Sequence, residues 1–267
     1  MRLMGIVNVT PDSFSDGGRF LDPERAVAHG RELVAEGAEI LDVGGESTRP
    51  GAEAVDATLE RERVEPVVAA LAGDGVAELS VDTSKAAVAA AALDAGATIV
   101  NDVTALRGDP ELAGLCAERG CTLVLMHMQG TPRTMQAHPS YDDVVDDVRA
   151  FLAERIAVAV SAGVDERQIW VDPGIGFGKT LAHNLELLRR LGELRVLGRP
   201  IVVGSSRKSF IGALTGRDVG DRLGGTVASN VLALAAGAEV FRIHDVLEVG
   251  RALRIAEAVL RSPSPLR

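Results

Sequence analysis

The sequence predicts an α/β protein that folds as a single (β/α)₈ barrel, or TIM barrel, with its active site at the C-terminal ends of the strands. Short apolar runs alternate with longer stretches of helical spacing through nearly the whole chain, and each run leads into a polar segment. The 267 residues, of which 46% are hydrophobic and 25% charged, are enough for one barrel with a large buried core. We assign residues 1–261 to the barrel and 262–267, which contain two Ser-Pro pairs, to a disordered tail.

Eight runs rich in Val, Ile and Leu are predicted to form the strands. They are apolar almost throughout, which is typical of strands in a parallel sheet that helices cover. The runs lie near residues 3–8, 39–43, 78–82, 97–101, 121–126, 168–172, 200–204 and 239–243.

Stretches rich in Ala, Leu, Glu and Arg separate the runs and are predicted to form helices. The clearest examples are residues 23–36, 58–71, 85–95, 110–119 and 143–163. Several stop at a glycine, the residue that most easily takes the left-handed conformation just past a helix. A doubly wound sheet is the alternative fold, but at this length it would usually leave a second domain, and no linker divides the chain.

The polar segments that follow the runs are the most informative feature of the sequence. In a (β/α)₈ barrel the C-terminal ends of all strands meet on one face, so these side chains should meet as well. Chance could produce two or three such segments, whereas eight indicate an active site. They are Asn8–Asp12, Asp42–Arg49, Asp82–Ser84, Asn101–Asp102, His127–Gln129, Asp172–Gly174, Ser205–Lys208 and Arg242–Asp245.

Composition excludes several classes of protein. A formal net charge of −10 argues against nucleic acid as a partner, although a few placed Arg and Lys residues could still bind a small anion. The two cysteines, Cys116 and Cys121, predict buried thiols in a reducing compartment rather than a disulfide framework. No stretch reaches the roughly 18 apolar residues of a membrane span. We therefore expect a cytoplasmic protein that binds neither nucleic acid nor membrane.

Three familiar catalytic or nucleotide-binding motifs are incomplete here. A phosphate loop ending at Lys179 would need a glycine where Pro173 stands, and a dinucleotide-binding glycine pattern would need one at Lys179 itself. The segment Gly204–Lys208 lacks the G-x-S-x-G elbow of serine hydrolases. Three histidines are predicted to have no function: His29, His138 and His183.

Taken together in chain order, the strand-end segments closely resemble those of the dihydropteroate synthase family of pterin-binding enzymes. The resemblance spans the whole barrel, and its first two segments are long and highly specific. The matching segments are Met4–Gly18, Asp42–Gly51, Ser80–Ser84, Asn101–Asp102, Leu125–Gly130, Asp172–Lys179, Ser206–Ser209 and Arg242–Asp245.

The resemblance implies the Mg²⁺-dependent condensation of 6-hydroxymethyl-7,8-dihydropterin diphosphate with 4-aminobenzoate, which yields 7,8-dihydropteroate for folate synthesis. It implies an SN1-like route, in which diphosphate leaves and the arylamine captures a dihydropterin cation. Because an arylamine is already a free base at neutral pH, the site must mainly stabilise a leaving anion and a developing cation. The residues implied in catalysis are Phe14, Asp16, Asp82, Lys208, Arg242 and His244.

The resemblance also assigns residues to each substrate. Asp172 alone, before Pro173-Gly174, would be interpreted as a helix cap, but the motif context favours a bidentate contact with the pterin N–H pair. Arg242 could pair with Asp245, yet an arginine that stacks on the ring and binds phosphate is favoured. The implied pterin-binding residues are Asp82, Asn101, Met126, Asp172, Lys208 and Arg242.

The remaining implied contacts concern aminobenzoate, diphosphate and metal. The aminobenzoate pocket, where sulfonamides act in the family, would contain Thr48, Arg49, Pro50, Phe177 and Ser206. The diphosphate would contact Asn8, Arg49, Arg242 and His244, with Asn8 also binding Mg²⁺. Residues 10–18 would form a lid that excludes water, and residues 48–50 a second lid.

Two other functions are weighed against this one. A methyltetrahydrofolate-binding methyltransferase would share the pterin contacts but would need neither the Asn8–Asp16 segment nor the Ser-Arg-Lys segment. A non-catalytic pterin-binding paralogue would be expected to lack some of the residues named above. By resemblance we expect a homodimer formed through the late barrel helices. One departure from the family is Ser205, where a larger apolar residue is frequent, so we expect a slightly altered pocket wall.

Overall fold

All eight predicted strands form, and every pairing between them is parallel. The computed structural model describes residues 1–10, 23–48 and 51–262. The strands are β1 Arg2–Asn8, β2 Ile40–Gly44, β3 Glu78–Asp82, β4 Ile99–Asp102, β5 Thr122–Met126, β6 Ile169–Asp172, β7 Val202–Val203 and β8 Val240–Ile243.

The strands follow the order β6-β5-β4-β3-β2-β1-β8-β7 in one sheet. A parallel bridge between Val171 and Ile201 joins β6 to the start of the β7 region, so the two edges of the sheet meet. This confirms the predicted (β/α)₈ barrel in a single domain. β7 is shorter than the predicted run 200–204, because only its two central residues keep strand pairing.

The predicted helices also form, with shifts of a few residues at their ends. The helix predicted over residues 58–71 gains about one turn at its C-terminus. It continues through Gly73 and ends at Gly75, which takes the left-handed conformation. Its N-terminus is set by Asp56, whose carboxylate accepts hydrogen bonds from two backbone N–H groups of the first turn. The helices are α1 Pro23–Glu36, α2 Ala57–Asp74, α3 Ala86–Asp94, α4 Leu112–Arg119, α5 Val144–Ser161, α6 Leu181–Arg189, α7 Ser209–Thr215, α8 Leu223–Ala235 and α9 Val246–Arg261.

Side chains alternate between the outside and the inside of the barrel along each strand. The outward set packs against the helices in one extensive core. The inward set forms a separate apolar layer near the N-terminal ends of the strands, made of Met4, Ile40, Ile99, Val124, Val202 and Val240, with Trp170 against it. Two residues further along each strand, the next inward position therefore lies at the C-terminal face. Five of the six predicted pterin-binding residues, all except Lys208, occupy that second layer.

Three simpler expectations can be compared with the structure. In the described part of the chain, no helix is both long enough and apolar enough to cross a membrane. Cys116 and Cys121 are buried free thiols, as predicted. The proposed tail 262–267 lies outside the described residues apart from Ser262.

Candidate active site

A cavity of about 810 Å³ opens at the C-terminal ends of the strands. Its volume is in the range of sites that bind small molecules. Its walls come from the end of β1, the loops after β2, β6 and β7, and the end of β8. Among the predicted site residues, the structure places Asn8, Thr48, Asp82, Phe177, Ser206, Lys208, Arg242 and His244 in its lining.

Three further predicted residues are buried next to the cavity rather than in its lining. Asn101 and Asp172 are each 5% exposed, and Met126 is 3% exposed. Oδ2 of Asp172 lies close to Gly204, a residue of the cavity lining: a Cβ atom added to this glycine would be 3.9 Å from it. Four predicted residues, Phe14, Asp16, Arg49 and Pro50, lie outside the described part of the chain, so their roles stay predictions, as does the lid over residues 10–18.

The β2, β3, β4 and β8 side of the site is a network of buried, mutually paired charges. Arg242 donates from Nε to Asp42 at 2.6 Å and from Nη2 to Asp82 at 2.7 Å. The Asn101 amide donates to Oδ2 of Asp42 at 3.0 Å. The salt bridge from Arg242 to Asp245 that the sequence also allowed does not form, because Asp245 pairs with Arg207.

Asp82 is the one carboxylate of this network that reaches the cavity. Its Oδ1 is buried and has no hydrogen-bond partner among the described residues, while Oδ2 accepts from Arg242. Burial raises the pKa of Asp82 to about 7, although the Arg242 guanidinium acts to lower it. A buried carboxylate with one unused oxygen can accept an N–H group or lie beside a developing positive charge.

The β6 and β7 side holds Asp172 and Lys208 without an ion pair between them at salt-bridge distance. Oδ1 of Asp172 accepts the N–H of Gly174 at 2.6 Å, and burial raises the pKa of this carboxyl group. Nζ of Lys208 lies 3.9 Å from the centre of the Phe177 ring. Burial, followed by the nearby Arg242 charge, lowers the pKa of Lys208 to about 8. Both groups are therefore held in place with hydrogen-bonding capacity left for a ligand.

A second lysine, Lys179, supports the loop that carries Phe177. Its Nζ lies 2.8 Å from Nδ1 of His127 and donates to the Phe177 carbonyl at 2.9 Å. Burial lowers the pKa of Lys179 to about 7, and it also lowers the pKa of His127, so the imidazole is neutral. The His127 ring packs edge-on against Phe151, with centroids 4.8 Å apart. No role was predicted for either Lys179 or His127.

Ser206, in the loop after β7, and His244, just after β8, form a hydrogen bond at the wall of the cavity. The Ser206 hydroxyl lies 3.0 Å from Nδ1 of His244 and accepts the His244 backbone N–H at 3.2 Å. Burial lowers the pKa of His244 to about 3, so its ring is neutral and offers a hydrogen bond rather than a charge. The Ser206 hydroxyl already has two hydrogen-bond partners, both in His244. Ser209, the first residue of α7, is exposed and also lines the cavity.

Two other expectations concern the surroundings of the site. Ser205 is buried outside the cavity lining, and its hydroxyl lies 2.9 Å from that of Ser229 on α8, so any effect on the pocket wall is indirect. His29 is a surface residue of α1, as predicted, with a side chain 39% exposed, and it also borders the cavity. His183 completes the N-terminal cap of α6 with Thr180, which is a structural role.

The loop after β2, which leads to Thr48, is anchored by an ion-pair cluster. Lys85, in the loop after β3, binds the carboxylates of both Glu46 and Glu60. Glu60 is fully buried on α2, and burial raises its pKa. Glu46 lines the cavity, so the cluster connects one wall of the site to the helical layer.

The described residues contain no cluster of three or more His, Cys, Asp or Glu side chains that could hold a metal ion. Asn8, the last residue of β1, lines the cavity. A single amide oxygen suits a Mg²⁺ ion that keeps most of its waters and takes phosphate oxygens from a substrate. It does not suit an ion held by the protein alone.

The barrel and the cavity at the C-terminal ends of its strands, with buried carboxylates and cations around it, are typical of a (β/α)₈ enzyme with a small polar substrate. A family model described as "pterin binding enzyme" matches residues 4–244. The chain is 47% identical over 258 residues to the dihydropteroate synthase of Escherichia coli strain K12, covering 97% of this chain and 91% of that protein. The chain therefore belongs to the dihydropteroate synthase family of pterin-binding enzymes, and it is a transferase.

Two further comparisons agree. A probable bifunctional folylpolyglutamate synthase/dihydropteroate synthase from Haloferax volcanii is 50% identical over 256 residues, which cover 96% of this chain but only 30% of that longer protein. A Xanthomonas albilineans dihydropteroate synthase, solved with 4-aminobenzoic acid, superposes with a TM-score of 0.92 at 50% identity. The alignment covers 98% of this chain and 94% of that structure.

Proposed function

We propose that the protein joins 6-hydroxymethyl-7,8-dihydropterin diphosphate to 4-aminobenzoate and releases 7,8-dihydropteroate and diphosphate, a step of folate synthesis. One observation carries the proposal: Asp82, Lys208 and Arg242 line a single cavity, and the buried side chains of Asn101 and Asp172 lie next to it. A 2-amino-4-oxopterin offers N–H groups on one edge and acceptors on another, which is the complement of this set of side chains.

The pterin would lie deep in the cavity, where the described polar groups keep unused capacity. Asp172 can meet the amino and ring N–H pair with both oxygens, since Oδ1 accepts the Gly174 N–H through one lone pair and keeps the other. Lys208, flanked by the Phe177 ring, would donate to an oxygen or nitrogen acceptor on the opposite edge. Asp82 would place its unpartnered Oδ1 near the ring atoms on which positive charge develops.

The bond between the pterin methylene carbon and the diphosphate oxygen would break first, with the electron pair leaving on the diphosphate. The lone pair of the arylamine nitrogen would then form the new C–N bond, and the amine would release its proton to water. No strong general base is required, and the two histidines discussed above, His127 and His244, are neutral with lowered pKa values. The contribution of the protein is orientation, exclusion of water and electrostatic stabilisation.

Arg242 and His244 are proposed to hold the diphosphate, Arg242 through guanidinium N–H groups and His244 through a neutral N–H. Asn8 is proposed to supply the one protein oxygen for Mg²⁺. When bound, this cofactor would neutralise charge on the leaving diphosphate. The 4-aminobenzoate would lie nearer the cavity mouth, beside Thr48 and Phe177, where sulfonamides are proposed to compete with it. Its carboxylate would meet the serine-containing segment at the start of α7, in which Ser206 was predicted and Ser209 has the exposed hydroxyl.

The assembly and location that the resemblance implies also stay proposals. A homodimer through the late helices is supported by exposed apolar side chains on α8 and α9, namely Leu232 at 62%, Ile255 at 69% and Val259 at 69% exposure. Sedimentation of the purified protein tests it, and a concentration-independent monomer would contradict it. A cytoplasmic location remains a prediction.

The reaction is tested with purified protein, Mg²⁺, the dihydropterin diphosphate and 4-aminobenzoate, each left out in turn. Dihydropteroate, identified by mass, is expected only in the complete mixture, and Lys208→Ala is expected to lower the rate of its formation about 100-fold. Folded wild-type protein that binds the pterin but forms no product would instead identify a non-catalytic paralogue. Methyl transfer from methyltetrahydrofolate to a corrinoid protein would identify the methyltransferase alternative.

A further inference from the structure

Asp42 is a buried carboxylate for which substrate binding provides no role. Its side chain is fully buried and does not line the cavity. Three groups nonetheless point their hydrogen bonds at it. The Ser80 hydroxyl donates to Oδ1 at 2.6 Å, while the Asn101 amide at 3.0 Å and Arg242 Nε at 2.6 Å donate to Oδ2. Two of these three donors belong to the proposed pterin and diphosphate site.

The contact with Asn101 fixes which end of that amide the ligand meets. An asparagine amide has a donor end and an acceptor end, and a half turn exchanges them. With Nδ2 donating to Asp42, the acceptor Oδ1 is the end turned away from the carboxylate. The opposite orientation would place the amide oxygen against the carboxylate oxygens and would leave a buried donor unpaired, which costs about 1–3 kcal/mol.

The contact with Arg242 decides how much of Asp82 remains for the ligand. Arg242 uses Nε on Asp42 and Nη2 on Asp82, so that it spans two carboxylates instead of binding one of them twice. Asp82 consequently accepts through Oδ2 alone, and its Oδ1 is left without a partner in the described part of the chain. Without Asp42, the guanidinium fork would be free to take both oxygens of Asp82.

We propose that Asp42 is a positioning residue that orients Asn101 and Arg242 and keeps one oxygen of Asp82 open for the dihydropterin. The proposal rests on the proposed function for the identity of the ligand. Asp42 does not touch substrate; it acts through the three side chains that do.

The positioning role predicts a change in the pH dependence of catalysis, which a loss of fold stability alone would not produce. Burial raises the pKa of Asp82, the charges of Asp42, Glu60 and Asp102 raise it further, and Arg242 lowers it. Removing the charge of Asp42 takes away one raising influence and strengthens the lowering one. The acid limb of kcat/KM, which reports ionisation in the free enzyme, should then move to lower pH.

The test compares Asp42→Asn with the matched control Ser80→Ala. The control removes one hydrogen bond to the same carboxylate but leaves its charge and its contacts with Asn101 and Arg242. For Asp42→Asn we expect about a tenfold weaker dihydropterin affinity and roughly a 10- to 100-fold lower kcat, with the acid limb shifted to lower pH. For Ser80→Ala we expect a lower Tm with wild-type affinity and an unshifted acid limb. Equal affinity and pH profiles in Asp42→Asn and wild type would overturn the proposal.

A measurement on the unmodified protein covers the case in which Asp42→Asn does not fold. With ¹⁵N-labelled arginine, the Nε–H of Arg242, assigned by its loss in Arg242→Lys, should exchange slowly with solvent both before and after the pterin binds. Exchange as fast as that of surface arginines in either state would overturn the proposal. Affinity and exchange are both measured without turnover. A wild-type protein that makes no dihydropteroate would therefore refute the proposed function and leave the positioning role to be judged separately.

Discussion

The two halves of the barrel rim solve the problem of buried charge in opposite ways. On the β2, β3, β4 and β8 half, carboxylates and a guanidinium pair with one another, since Arg242 binds both Asp42 and Asp82. On the β6 and β7 half, Lys208 lies against an aromatic ring and Lys179 against an imidazole and carbonyls. Asp172 there has no ion-pair partner within salt-bridge distance among the described residues.

This difference indicates which half is complete before the substrate arrives. The paired half is preorganised, so that altering it should disturb the free protein as well as the complex. In the other half, Lys179 and Lys208 have no ion-pair partner at salt-bridge distance among the described residues, and burial lowers their pKa values to about 7 and about 8. We infer that the ligand completes this second half, whose variants should therefore lose binding without losing stability.

The largest effect is expected from Asp172→Asn. The amide oxygen can still accept the Gly174 N–H, but a neutral amide cannot bind the pterin N–H pair as a carboxylate does. We expect a dihydropterin Kd roughly 100- to 1000-fold higher, about 3–4 kcal/mol, by calorimetric titration. Because burial raises the pKa of Asp172, its ionised form opposes folding at neutral pH. Tm should therefore stay the same or rise.

The exposed carboxylate Asp94 offers a matched control, since Asp94→Asn makes the same chemical change on α3 outside the cavity lining. It should leave the dihydropterin Kd unchanged. An Asp172→Asn protein that lost several degrees of Tm would show that Asp172 belongs to the preorganised half, and the comparison of the two halves would be wrong.

Lys208→Met is expected to have the next largest effect, about a 100-fold loss of kcat/KM together with a gain in stability at neutral pH. The pKa of Lys208 is lowered to about 8 in the folded protein, from 10.5. Between these values the unfolded chain binds more protons than the folded one, so the free energy of unfolding rises with pH across this window. The methionine variant lacks that contribution.

Urea unfolding at pH 7 and pH 10 measures this difference directly. The stability gap between Lys208→Met and wild type should be largest at pH 7 and should shrink at pH 10, where wild-type Lys208 is neutral in the fold. A gap that widens with pH would mean that Lys208 is stabilised as an ammonium group, like the cations of the paired half.

How far the sequence could predict these two halves depends on periodicity. Asp42 interrupts the apolar strand Ile40–Gly44, and it lies two residues after Ile40 of the inner apolar layer. The same spacing connects Ile99 with Asn101 and Val240 with Arg242. The period of two could thus have placed Asp42 in the same layer as the pterin site. Asp42 is the first residue of the family-like segment Asp42–Gly51, yet no role was predicted for it.

The other half could not be predicted in the same way. Lys179 lies beyond β6 in a glycine-rich loop, and its partner His127 lies just past β5. Nothing local in either segment indicates that an ammonium group and an imidazole are 2.8 Å apart. The Ser206–His244 contact, between loops 38 residues apart, is equally non-local. These contacts depend on loop conformation, which follows no hydrophobic period.

Lys179→Met should have a smaller effect, because Lys179 supports the loop after β6 without reaching the cavity lining. Losing the donors to the Phe177 carbonyl and to His127 should loosen residues 174–178. We expect KM for the dihydropterin to rise about tenfold while kcat changes less than threefold, since chemistry takes place beside Asp82 and Arg242. A loss confined to kcat in steady-state assays would contradict this assignment, and Lys179→Arg should restore part of the affinity.

The smallest effect is expected from Phe177→Leu, which tests whether an aromatic ring takes the place of a counter-ion for Lys208. Leucine keeps apolar bulk but removes a cation–π contact worth about 1–2 kcal/mol at a desolvated site. The ammonium form loses that stabilisation and the neutral amine does not, so the pKa of Lys208 should fall further. The alkaline limb of kcat/KM should move to lower pH by up to about one unit. An unmoved alkaline limb with unchanged affinity would show that the lysine depends on its distant carboxylates instead, and the two halves of the rim would then differ only in distance.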